Sequence, residues 1–173
     1  MPAQAIFSLQ LILGYVVWLL CLGAYILPKL KGMGPVAAQR AIATLHSFRF
    51  FGLVFILPGV VGANLPGSFA PSAAYGDLAT GVLAIGALLA VRSRPLFLTL
   101  VVAYNTVGVL DLLFDYYQAM HLNLPAVAGQ LGATYVIPVL YVPLLMITHV
   151  VALLWVPRLR SATSLAPESG LGR

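Results

Sequence analysis

Five stretches of nearly unbroken apolar sequence alternate with short polar, basic or turn-forming segments along the 173 residues. The first covers 5–27 and stops at Pro28, Lys29 and Lys31. The second covers 45–65 and holds Pro58-Gly59. A proline inside a helix removes a hydrogen bond and bends it, so a kinked outer half is predicted there. The third covers 74–91 and is dense in Ala and Gly, small residues that let helix backbones approach closely in lipid. That density predicts a central position in a bundle. The fourth covers 95–117, and the fifth covers 133–156, with Pro138 and Pro143 inside it and Trp155 at its end as an interfacial anchor. Each stretch reaches the roughly 18 residues that mark a membrane-crossing helix.

The connections carry their own signals. Gly32-Met33-Gly34-Pro35 is a turn cluster, with Pro35 placed to start a helix. From 36 to 47 that helix reads as amphipathic, interrupted by Gln39, Arg40, Thr44 and His46, and is predicted to lie in the interface. Pro66, Gly67 and Pro71 mark a loop over 64–72, and 118–132 reads as the longest outer loop. Residues 158–173 are rich in Ser, Pro and Gly and are predicted to form a disordered tail. The expected fold is therefore all-α: one transmembrane domain over 1–157, a bundle of five membrane helices.

Charge adds an orientation. All nine Lys and Arg fall within Lys29 to Arg49, Arg92 to Arg94 and Arg158 to Arg173, whereas Asp77, Asp111 and Asp115 fall in the gaps between them. With five crossings the basic segments share one side, so the positive-inside rule places the N-terminus outside and the C-terminus in the cytoplasm. Only 8% of residues are charged, against about 25% in ordinary soluble chains, which leaves too few to cover a water-exposed surface. The net charge of +5 sits at the ends of apolar runs and forms no basic face, which excludes a nucleic-acid partner. The bilayer is the partner implied; other membrane subunits or self-association are the alternatives. No Lys or Arg precedes the first apolar run, which reads as a retained helix and not a cleaved signal. Cys21, alone in its span, forms no internal disulfide.

The run Leu45-His46-Ser47-Phe48-Arg49-Phe50-Phe51-Gly52-Leu53-Val54-Phe55-Ile56-Leu57-Pro58-Gly59, followed by Tyr75-Gly76-Asp77-Leu78, resembles short polytopic bacterial inner-membrane proteins of uncharacterised function. The resemblance implies a bacterial cytoplasmic (inner) membrane location and assigns no chemistry.

Polar groups at membrane depth cost free energy and mark candidate sites. Depth counting sorts them into two clusters. Outermost are Asp111 and Asp115, four apart on one helix face, with Tyr104 on the same stripe and Asp77, His121, Asn64 and Tyr135 at similar height. Such carboxylates suit proton or cation handling, and Asp111, Asp115 and His121 are candidate metal ligands. The structural readings are a helix-dipole role for Asp77 and an interfacial place for Asp115. Nearer the cytoplasm, His149, Asn105 and Arg49 are predicted to meet if their helices are neighbours, forming a site for an anionic or carbonyl ligand or a proton relay. Here the structural readings are hydrogen-bonding between helices for His149 and Asn105 and snorkelling to head groups for Arg49.

No phosphate loop, His-Glu-x-x-His or Gly-x-Ser-x-Gly is present, and paired haem histidines are not arranged in facing spans. No cofactor is predicted. Three functions remain: a membrane-embedded binding or transport component for a proton, ion or small molecule; an accessory subunit or assembly factor; and, least favoured, an intramembrane enzyme with His149 as acid or base.

Overall fold

The computed structural model describes residues 1–164, which hold six α-helices and no strand. They are α1 (Ala3–Cys21), α2 (Leu27–Lys31), α3 (Pro35–Ser47), α4 (Phe69–Leu89), α5 (Arg94–His121) and α6 (Val142–Ser164). Four continuous helical runs are long and apolar enough to cross a membrane: Ala3–Lys31, Phe69–Arg92, Arg94–His121 and Ile137–Ser161. Large apolar side chains such as Leu20, Leu110 and Leu154 face outward from them. That distribution suits a lipid solvent and would aggregate in water.

Proline shapes two of these runs. A π turn, Leu22–Ile26, precedes Pro28, and a second, Ile137–Tyr141, precedes Pro143. A proline cannot donate to the residue four back and crowds its carbonyl, and a widened turn relieves that crowding without ending the helix. Trp18 Nε1 donates to Leu140 O in the second wide turn at 2.8 Å, while Gly14 lies so close to Val139 O that a side chain there would overlap it. These contacts fasten α1 to the start of the last helical run.

The 45–65 stretch departs from expectation. It is not one kinked helix: α3 continues as a 3₁₀ helix, Phe48–Ile56, and then stops. Leu57 is extended (φ −73°, ψ 123°), as a residue before proline prefers, and Gly59 takes φ +82°. Pro58-Gly59 thus ends the helix where a bend was expected. The segment 36–47 is two-faced as expected: Ala38, Gln39, Ile42, Ala43 and His46 are buried in the bundle, and Ala37, Arg40, Ala41 and Thr44 are exposed.

Two further boundaries differ. The expected loop over 118–132 is helix to His121, then a 3₁₀ segment, Leu124–Tyr135, which buries Leu124, Ala128 and Leu131 against α1. Gly62 N donates to Gln130 O at 2.7 Å, tying the 57–67 turn to it. At the other end α6 runs through Pro157 to Ser164, so the expected tail begins as helix; its remainder lies outside the described residues. The centre of the molecule is α4, packed against α5, α3 and the 3₁₀ helix Phe48–Ile56, with α6 closing the far side on α3 and α5. α1 stands at the edge.

Candidate functional site

Four glycines open the middle of this packing. A side chain at Gly52 would overlap Asp77, one at Gly76 would overlap the Asp111 carboxylate, and one at Gly108 would overlap His149 and Arg49. At Gly81 it would press on the backbone of Phe50. The small residues that sequence reading assigned to backbone approach therefore also make room for charged side chains.

Into that space the 3₁₀ helix delivers Arg49. It is fully buried and its guanidinium is used in every direction. Nε donates to Asp77 Oδ1 of α4 at 2.6 Å, and Nη2 donates to Asp111 Oδ2 of α5 at 2.5 Å. Nη1 lies 3.4 Å from Gly108 O and 3.2 Å from His149 Nε2 of α6. One planar cation thus joins three helices and the 3₁₀ segment. Its fork geometry makes that possible, since an ammonium would act as a single point.

The partners fix the histidine tautomers. His149 Nε2 faces an N–H of Arg49 and accepts from it, so Nδ1 carries the proton and donates to Asn105 Oδ1 at 2.8 Å. Asn105 Nδ2 in turn donates to Val101 O at 2.7 Å. His46 stacks on His149 with centroids 3.8 Å apart. The Thr148 hydroxyl donates to Leu144 O at 2.8 Å and so accepts from His46 Nε2 at 3.1 Å. His46 Nδ1 is then a bare acceptor, and it has no partner. Both rings are neutral by these roles. Both nitrogens of His149 are engaged and its ring is fully buried.

Two acids of the expected outer cluster, Asp77 and Asp111, join the inner one. Arg49 does not snorkel to the cytoplasmic surface but bonds the acids assigned to the outer cluster. The reason is local: α4 starts at Phe69, so Asp77 lies eight residues inside it, about 12 Å deep and not at its dipole end. Likewise α5 extends to His121, which puts Asp111 farther from the helix end than the span 95–117 implied. Tyr104 sides with the histidines, 5.6 Å from His46 and 6.2 Å from His149 between centroids, and its buried hydroxyl lacks a partner. His46 and Thr148 were missed as site members. Glycine beside or three residues from an acid, as at Gly76-Asp77 and Gly108 with Asp111, was the available signal.

Other candidates are not brought together. His121 stacks on Tyr117 at 5.8 Å on the surface, and Tyr135 donates to Gln10 Oε1 at 2.5 Å on the edge of α1. Asn64 lies in the turn bonded to Gln130. Among the described residues no group of three His, Cys, Asp or Glu is arranged to hold a metal ion, so Asp111, Asp115 and His121 do not form the metal site considered from sequence.

Asp115 occupies a different setting. It sits one turn beyond Asp111 on α5, and its Oδ1 is buried with no hydrogen-bond partner. It forms part of the wall of a cavity of about 180 Å³, together with Asp77 and Tyr116. The rest of the wall is apolar, with Phe7 and Leu11 from α1, Phe55, Phe69, Leu112 and Ile137. The cavity reaches exposed Ile12 and Met120 between α1 and α5, where Tyr15 and Tyr116 hydroxyls meet at 2.7 Å.

Residues 6–156 match the family described as Domain of unknown function (DUF8737), and the chain belongs to that family. No curated protein and no solved structure matches it.

Proposed function

We propose that this is a multi-pass protein of the bacterial inner membrane that acts as a membrane-embedded binding component for a small molecule. One observation carries the reading: an apolar cavity within the bundle shares its wall with Asp77 of the buried charged centre and with the unpartnered carboxylate of Asp115. Largely apolar pockets with a few convergent polar groups are the usual form of small-molecule sites.

The topology that supports it has five crossings. Thirteen α residues and nine 3₁₀ residues between Pro35 and Ile56 span about 37 Å at 1.5 and 2.0 Å per residue, enough for a ~30 Å hydrocarbon core. Five crossings leave Lys29, Lys31, Arg92, Arg94, Arg158 and Arg160 on one side, which the positive-inside rule makes the cytoplasm. The cavity then opens in the outer half. Transport would require a second opening toward the basic side, and the Arg49 centre fills that path.

Native mass spectrometry of gently solubilised protein tests the binding reading. A co-purifying small molecule, one per chain, is expected, and its occupancy should fall at least about tenfold in Ala119→Phe, which fills the cavity from α5. Equal occupancy in that variant would place the ligand elsewhere and sink the proposal.

An accessory-subunit role is the second reading, favoured by α1. Over its most apolar 18 residues the Ala3–Lys31 run is 11% buried, against 33% to 39% for the other three long runs. That leaves a broad face for lipid or for a partner helix.

A further inference from the structure

Charge balance within the bundle points to the kind of molecule the cavity takes. Three carboxylates, Asp77, Asp111 and Asp115, converge on one cation, Arg49. Four of its five N–H groups meet Asp77, Asp111, Gly108 O and His149, and Asp115 Oδ1 has no hydrogen-bond partner. Asp111 and Asp115 project from the same face of α5 one turn apart, where like charges repel. Among the described residues no other Lys, Arg or His side chain is bonded to these carboxylates. His149 accepts from Arg49, His46 offers Nδ1 as a bare acceptor, and His121 is at the surface. Lys31, Arg92 and Arg94 stand at the ends of the long helical runs.

We infer that the cavity beside Asp115 binds a small amphiphilic organic cation, a protonated primary amine on a single apolar chain, whose ammonium group is held by the free Asp115 carboxylate. This rests on the binding reading above and specifies its ligand. An ammonium at Asp115 supplies the missing positive charge, and the apolar walls from Phe7, Phe55, Phe69 and Leu112 receive the chain. An anion would meet the carboxylates of Asp77 and Asp115 in the cavity wall. A hydrated metal ion would lose its water shell against walls that offer too few oxygens to replace it. A neutral alcohol could share one hydrogen bond with Asp115 but forms no ion pair with it, and charge-assisted hydrogen bonds are the stronger kind. A two-chain lipid exceeds a volume of about 180 Å³. The route in is sideways from the bilayer, between α1 and α5 at the Tyr15–Tyr116 pair.

The probes are octylamine, 1-octanol and octanoate, which share a chain and differ in head-group charge. Binding to the full chain in a neutral detergent is read by native mass spectrometry at neutral pH. One octylamine per chain is expected, with 1-octanol and octanoate at least about tenfold weaker, as a charge-assisted hydrogen bond implies. Asp115→Asn keeps the shape and removes the charge, and should bring octylamine and 1-octanol within about threefold of each other. The thermal unfolding midpoint of that variant shows whether it is folded, and Asp115→Glu, which keeps the charge, should retain preference for the amine. Equal binding of octylamine and 1-octanol by the unmodified chain overturns the cationic ligand and leaves the binding reading standing. Failure of all three probes sinks both. Undiminished amine preference in a folded Asp115→Asn overturns the role of Asp115.

Discussion

Arg49 and Asp115 share a polar centre but differ in what their removal leaves behind. Truncating one member of a buried ion pair exposes the survivor's charge to a low-dielectric interior, a loss of about 3–5 kcal/mol. Arg49→Met should therefore cost that order of stability, because both Asp77 and Asp111 lose their partner. Arg49→Lys should restore little of it, since a single ammonium does not reproduce the paired contacts from Nε and Nη2. Asp115→Asn should hold or raise stability, because it strands no paired cation and removes like-charge repulsion with Asp111. Thermal or denaturant unfolding in detergent measures all three. A fall for Asp115→Asn as large as for Arg49→Met would show that Asp115 belongs to the structural pair and not to a free wall of the cavity. Residue identity was the best-read level in the sequence: Asp111, His149, Asn105 and Arg49 stood out as polar groups at depth, and the structure brings them together. The bond from Arg49 to the acids was not legible. It depends on a side chain reaching across helices toward the outer half, whereas counting along the chain locates only backbones.

Helical character was legible wherever apolar runs were long, and the differences arise where short-range chemistry overrides the run. The 45–65 stretch looked like a span by hydrophobicity, but Pro58 and Gly59 end its helix, and Phe48–Ile56 winds as a 3₁₀ helix. Such windings rarely exceed three or four residues, so nine in succession require tertiary support. That support is α4, where Gly81 admits the backbone at Phe50 and Asp77 approaches Gly52. The glycines are therefore as specific as the charges they accommodate. Gly76→Ala should destabilise by about 1–3 kcal/mol, the usual effect of forcing a methyl into filled space, because the methyl displaces the Asp111 carboxylate from Arg49. Gly23→Ala is the control, since a side chain there meets nothing and the position lies in a helical run. Equal unfolding midpoints for the two variants would show that α4 and α5 separate easily at Gly76, against the tight ion-pair geometry.

At the scale of the whole molecule, the crossing number decides on which side the cavity opens, and it turns on the segment Pro35 to Ile56, which lies outside the four long apolar helical runs. If Pro35 to Ile56 crosses the membrane, Met33 and Ser68 lie on opposite sides; if it only dips and returns, they lie on the same side. Each is exposed, as are Ser93 and Asn123 in the later connections, so single cysteines at these four positions report sidedness in a Cys21→Ser background. With five crossings and the N-terminus outside, an impermeant maleimide should label Ser68→Cys and Asn123→Cys in intact cells. Met33→Cys and Ser93→Cys should react only after the membrane is opened. Four crossings would instead make Met33 and Ser68 behave alike and place the Arg92 and Arg94 loop outside, against the distribution of cations. The removal of Arg49 from that distribution makes the test sharper. Buried between Asp77 and Asp111, it carries no topological information, and Lys29, Lys31, Arg92 and Arg94 stand at the ends of helical runs. Labelling of Ser68 from outside and protection of Met33 would therefore establish that α3 and its 3₁₀ extension carry a charged side chain across the bilayer. The cation would be held within the crossing by carboxylates on two neighbouring helices.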